Sequence, residues 1–140
     1  MNQHQIQLVQ DSFAKVRPIA SMAADLFYHR LFELDPNLRA LFKADMSEQK
    51  HHLMTTLSFA VSGLDRPDRI LAAVRQLGIR HIGYGVLPHH YNTVGAALLW
   101  TLGQGLGNAF TLEVEEAWTA VYTLLANTMQ EAARGEEIFA

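Results

Sequence analysis

The chain contains no cysteine. Disulfides, zinc–thiolate sites, iron–sulfur clusters, thiol nucleophiles and CxxCH cofactor attachment are therefore excluded. Positive charge is also scarce: 11 Lys and Arg stand against 14 Asp and Glu, for a formal net charge of −3. The bases are scattered from Lys15 to Arg134, so there is no electrostatic footprint for nucleic acid or an anionic membrane, and neither is an expected partner. No stretch approaches the roughly 18 consecutive apolar residues of a membrane span. The start, MNQHQIQLVQDSF, lacks a charged segment followed by an apolar one, so the expected location is cytoplasmic. Walker loops, GxGxxG, GxSxG and HExxH are all missing, and GQGLG (Gly103 to Gly107) falls at the end of a helical pattern, not after a strand.

What remains is 140 residues, 49% hydrophobic and 18% charged. That is one ordinary domain with a sizeable apolar core and no disorder signature. Apolar positions recur every three or four residues and strand-like alternation hardly appears, so the expected class is all-α. A first helix over His4–Val16 directs Ile6, Phe13 and Val16 inward and stops before Pro18. A second, Ile19–Leu34, lines up Met22, Leu26, Phe27, Leu31 and Leu34; Asp35-Pro36 ends it and opens a short turn reaching Phe42. Ser47 is the expected N-cap of a helix to about Gly63, with Leu53, Met54, Leu57, Ala60, Val61 and Leu64 inward. Asp68–His81 follows, then a glycine-rich corner at Gly83, Gly85 and Pro88. Two long helices close the chain. One spans His89–Leu106 with Tyr91, Val94, Leu98 and Leu102 inward. The other follows Thr111, with Glu113, Glu115 and Glu116 at its N-terminal dipole and Val114, Trp118, Val121, Leu125 and Met129 inward. All linkers are short, so residues 1–140 read as a single domain.

Seven histidines are many for this length. The pairs His51/His52 and His89/His90 are adjacent and point apart on a helix, so neither is a chelating i,i+4 motif. His81 is different. It ends a helix before the glycine corner, with Tyr84, Val86, Tyr91 and Val94 just beyond, residues able to line a flat apolar pocket. Gln49, Leu53 and Leu57 share one face of an earlier helix. Those two helices can clasp one planar ligand.

Four segments carry a family resemblance over essentially the whole chain: LFYHRLFELDPNLRALF (Leu26 to Phe42), QKHHLM (Gln49 to Met54), LGIRHIGYGV…HYNTVG (Leu77 to Gly95) and FTLEVEEAWTAVY (Phe110 to Tyr122). Each is weak singly; in this order and spacing the chain resembles the globins, in particular single-domain haemoglobins similar to the haem domain of flavohaemoglobins. The last third is also similar to neuroglobin. The resemblance implies a 3-over-3 helical sandwich around one non-covalent haem b. His81 matches the proximal iron ligand, its Nδ1–H held by the Leu77 carbonyl. Phe42 matches the phenylalanine that stacks on the porphyrin. Tyr28 and Gln49 match a distal pair whose donors favour a ligand that draws negative charge, with Leu53 as a steric wall. Leu57, Tyr84, Val86, Val94 and Leu125 complete the implied pocket. His52 and Arg80 match positions at the haem edge, as propionate partners; His52 as a sixth iron ligand is the rival reading.

One element departs from the flavohaemoglobin pattern. There the proximal histidine is held by a tyrosine, matched by Tyr91, and by a glutamate whose position falls on Ala133 here. Glu131 lies two residues earlier and hence about 200° away around a helix. Strong electron donation and peroxidase-like activity are not expected. The implied function is reversible binding of O2, NO or CO, as in oxygen transport. The alternatives are a nitric oxide dioxygenase served by an external reductase, because flavin and nicotinamide domains do not fit into 140 residues, and a haem-based gas sensor. The expected assembly is a monomer or weak homodimer.

Overall fold

The computed structural model describes residues 1–139, and among them there is no strand. Six α-helices, α1 (Gln3–Val16), α2 (Ala20–Leu34), α3 (Ser47–Ser62), α4 (Pro67–Gly83), α5 (His90–Leu106) and α6 (Leu112–Phe139), are joined by short connections, of which those after α1, α2 and α5 contain 3-10 turns. They form the expected sandwich, α1, α3 and α4 over α2, α5 and α6, with α4 packed most extensively on α6 and α2 on α5. No helix among the described residues is long and apolar enough to cross a membrane.

The helix ends follow local chemistry. Asn2 caps α1 in a reciprocal capping box with Gln5. Pro18 occupies the first turn of a 3-10 segment, Arg17–Ile19, where its missing N–H costs nothing, and α2 restarts behind it. Pro67 opens α4 in the same way. Ser47 is not the cap of α3; it is the first helical residue, and Met46 stands at the cap without a side-chain bond. Ser47 instead donates its amide to Asp45 Oδ1 (3.0 Å), a turn contact that takes the place of the expected cap. α4 runs two residues past His81, to Gly83.

The inward face of α2 also differs from the periodic reading. Met22 and Leu34 are 50% and 42% exposed, whereas Ala23, Ala24, Phe27, Tyr28 and Leu31 are buried. Small alanines face inward where α2 packs on α5, and the long side chains at the flanks of the stripe are turned out. At the centre of the core Trp118 and Phe13 pack with ring centroids 6.1 Å apart, and the indole N–H donates to Ser12 Oγ at 2.8 Å. Ser12 passes its own hydroxyl proton to the Leu8 carbonyl (2.7 Å), so this buried polar chain is satisfied.

Candidate functional site

Two polar side chains meet on the α2–α3 side of the site. Tyr28, 4% exposed on α2, accepts a hydrogen bond from Gln49 Nε2 of α3 at 3.0 Å. Burial pushes the Tyr28 phenol above its ordinary value, and the Gln49 bond opposes this in part. The hydroxyl therefore keeps its proton at neutral pH, and among the described residues it makes no hydrogen bond as a donor. One O–H, oriented by an amide, remains free to reach a ligand.

An aromatic cluster fixes that phenol. Phe42, at the end of the 3-10 turn Pro36–Leu41, meets Tyr28 edge-on at 5.6 Å. Phe32 lies 5.6 Å from Phe42 and 6.1 Å from Tyr28, and Phe27 closes the other side at 4.9 Å. Phe32 was not among the site residues read from the sequence. Its spacing of four from Tyr28 places it on the same helix face, which is the signal that marks it. On the outer side of Tyr28, a surface pocket of about 460 Å³ is lined by Met22, Leu26, His29, Phe32, Met46 and the Asp25–Lys50 ion pair (3.0 Å).

On the α4 side, His81 Nδ1 lies 2.6 Å from the Leu77 carbonyl oxygen, one turn earlier. That contact is a hydrogen bond only if Nδ1 carries the proton, which leaves Nε2 with its lone pair. Burial holds His81 below the ordinary histidine range, and the charge of Arg80 adds to that, while the Leu77 bond acts in the opposite direction. The ring is a neutral nitrogen donor. Behind it the chain turns sharply: Tyr84 and Val86 both donate their amides to the His81 carbonyl at 3.1 Å. Gly85 provides the φ of +82° that the turn requires.

The turn sets Tyr84 against His81 at 5.6 Å, and Tyr91 of α5 stacks on the imidazole at 6.5 Å with planes 30° apart. Tyr84 is mostly exposed and Tyr91 buried. The Tyr91 backbone is held by Tyr122 of α6, whose hydroxyl donates to the Tyr91 carbonyl at 2.6 Å. Tyr122, also missed in the sequence, thus supports the His81 side. Leu53, Leu57, Val94 and Leu125 are half-buried, packed against the core without being covered by it. Leu77 and Val86 are likewise half-buried. His52 and Arg80 are exposed, as is Glu131 on α6.

Comparison with known proteins agrees with this architecture. The model of the globin family matches residues 25–129. A flavohemoprotein of Xylella fastidiosa is 32% identical over 131 residues, which is 91% of this chain. The chain spans about a third of the length of the curated relatives it matches, 33% in that case. Among solved structures, an engineered carbene transferase from Rhodothermus marinus, whose parent is proposed to be a nitric oxide dioxygenase, superposes with a TM-score of 0.89 at 25% identity. It covers 99% of this chain and 97% of its own. A bacterial globin from Campylobacter jejuni superposes at 0.85 and 21% identity, covering 97% and 99%. A sandwich of six helices, a histidine in the last turn of α4 and a family match over most of its residues establish that the chain belongs to the globin family.

Proposed function

We propose that the chain binds one non-covalent haem b between α3 and α4 and uses it to bind O2, NO or CO reversibly, as an oxygen-binding protein of the cytoplasm. The residues fit such a group. His81 presents an unprotonated Nε2, the donor type that haem iron takes as an axial ligand. Half-buried Phe42, Leu53, Leu57, Val94 and Leu125 offer apolar surface that the core does not cover. A bound haem supplies a ferrous iron at which a diatomic gas can be held.

The chain's own part is to hold and discriminate. Leu77 fixes the tautomer and orientation of His81. Gln49 fixes the Tyr28 hydroxyl, whose free proton favours a ligand that draws negative charge over a neutral one. Leu53 and Leu57 wall the cavity. His52 and Arg80, both exposed, serve haem propionates at the rim, with Tyr84 and Val86 closing the pocket behind His81. In this reading His52 is not an iron ligand, and the protein works as a monomer or weak homodimer.

The observation that carries the proposal is the pairing of a lone-pair histidine on α4 with a proton-bearing tyrosine on α2. Its test is the visible spectrum of the haem-loaded chain. His81→Ala should abolish the spectrum of the histidine-ligated form, and Tyr28→Phe should speed O2 dissociation on the order of 10-fold, the worth of one good hydrogen bond. An unchanged spectrum in His81→Ala would overturn the ligand assignment. A second reading is nitric oxide dioxygenation with electrons from a separate reductase. It is favoured by the 32% identity to a flavohemoprotein and by the 25% identity to the Rhodothermus protein.

A further inference from the structure

The His89/His90 pair has no part in the proposed gas site, and taken alone it chelates nothing. The fold supplies a third group. Asp35, at the end of α2, comes to the start of α5, and one ligand atom each of Asp35, His89 and His90 lies within 4.8 Å of the others. The two imidazoles do not point apart as adjacency on a helix implied: His89 stands at the cap of α5, just outside the helix, and the ring centroids are 4.4 Å apart. His89 is exposed, Asp35 half-buried and His90 buried. A cation there is reachable from solvent but shielded on one side.

We infer that Asp35, His89 and His90 form a binding site for a borderline divalent transition metal of the zinc type. Two imidazoles and one carboxylate match the ligand preference of such ions and exclude the all-oxygen coordination that magnesium and calcium require. Three protein ligands leave a fourth, tetrahedral position for water. The inference does not depend on the haem reading, since none of the three residues belongs to that site.

The metal comes with a definite local cost. His90 Nδ1 accepts a hydrogen bond from the Leu87 amide at 2.9 Å, so the ring proton sits on Nε2. Coordination through Nε2 moves the proton to Nδ1, and coordination through Nδ1 occupies its lone pair. Either way the Leu87 amide is released. The backbone bond from the His90 amide to the Leu87 carbonyl (3.0 Å) does not involve the ring and can persist. The positive end of the α5 dipole also opposes a cation; the Asp35 carboxylate offsets it. Binding therefore joins the end of α2 to the start of α5 and loosens one amide of the corner that follows His81.

Equilibrium dialysis of the full chain against zinc alone, with metal analysis, tests the site. We expect saturable binding of a single zinc per chain. His89→Gln and Asp35→Asn should each weaken it at least about 10-fold, the scale of lost metal-site groups. His4→Gln, which alters another surface histidine–carboxylate pair, with Glu113, should leave it unchanged. Amide exchange at Leu87 should accelerate when zinc is added to the wild type. Absence of saturable binding, equal affinity in His89→Gln and Asp35→Asn, or loss in His4→Gln overturns the assignment. An unaltered Leu87 amide under saturating zinc overturns His90 as a ligand.

Discussion

Gln49 commits an amide proton to the Tyr28 oxygen, so the two residues act as one unit. Replacing Gln49 by Leu frees the phenol to rotate and removes the side-chain bond that opposes the burial-driven rise of its pKa. O2 dissociation should quicken, less than in Tyr28→Phe, and the two changes should not add. A double-mutant cycle on dissociation rates should give a coupling of about 0.5–3 kcal/mol, as for residues in direct contact; strict additivity would mean that Gln49 acts on the ligand independently. The same logic of unpaired donors governs the core. Ser12→Ala leaves the buried Trp118 N–H without its acceptor, and the cost should be about 1–3 kcal/mol in urea unfolding. None of these contacts is written in the sequence, because spacing places Tyr28 and Gln49 on helix faces but does not say that two faces meet.

At the level of elements, α4 is held against α6 by a missing side chain. A Cβ on Gly78 would stand 2.3 Å from the Met129 carbonyl oxygen and 2.6 Å from its Cα, both backbone atoms that cannot swing aside. Gly78→Ala should therefore cost at least about 1–3 kcal/mol, the range for overpacking. It should also disturb His81, three residues along the same helix. Gly83 has open space around its Cβ position and helical backbone; Gly83→Ala should instead gain about 0.4–1 kcal/mol by restricting the unfolded chain. Thermal melts of the two variants should move in opposite directions. The helices themselves were legible because a 3.6-residue repeat survives in the sequence, and prolines 18, 36 and 67 mark their borders. The orientation of α2 was not: Met22 and Leu34 fit the repeat but lose the inward face to Ala23 and Ala24, since only a partner helix at close range decides whether small or large residues belong there. The Ser47 cap was misplaced for a local reason, the competing Asp45 turn. The cluster of Asp35 with His89 and His90 was invisible because 54 residues of chain separate its carboxylate from its first imidazole.

At the scale of the molecule, the question between gas binding and nitric oxide oxidation turns on electrons. The described residues form one helical sandwich, and under the proposed function the Tyr28–Gln49 pair would serve either role, since both require a ligand that draws negative charge to be held. What distinguishes them is the return of the iron to its ferrous state, and no side chain of the site supplies an electron. The haem-loaded chain of 140 residues should thus consume nitric oxide from its oxygenated form once and then stop. Addition of a reductase and nicotinamide cofactor should restart consumption only if that partner docks productively. Sustained consumption with a cellular reductase, abolished in His81→Ala and slowed in Tyr28→Phe, would move the dioxygenase reading ahead of reversible binding. A single turnover whatever the reductase would leave the holding of gas as the work this site performs.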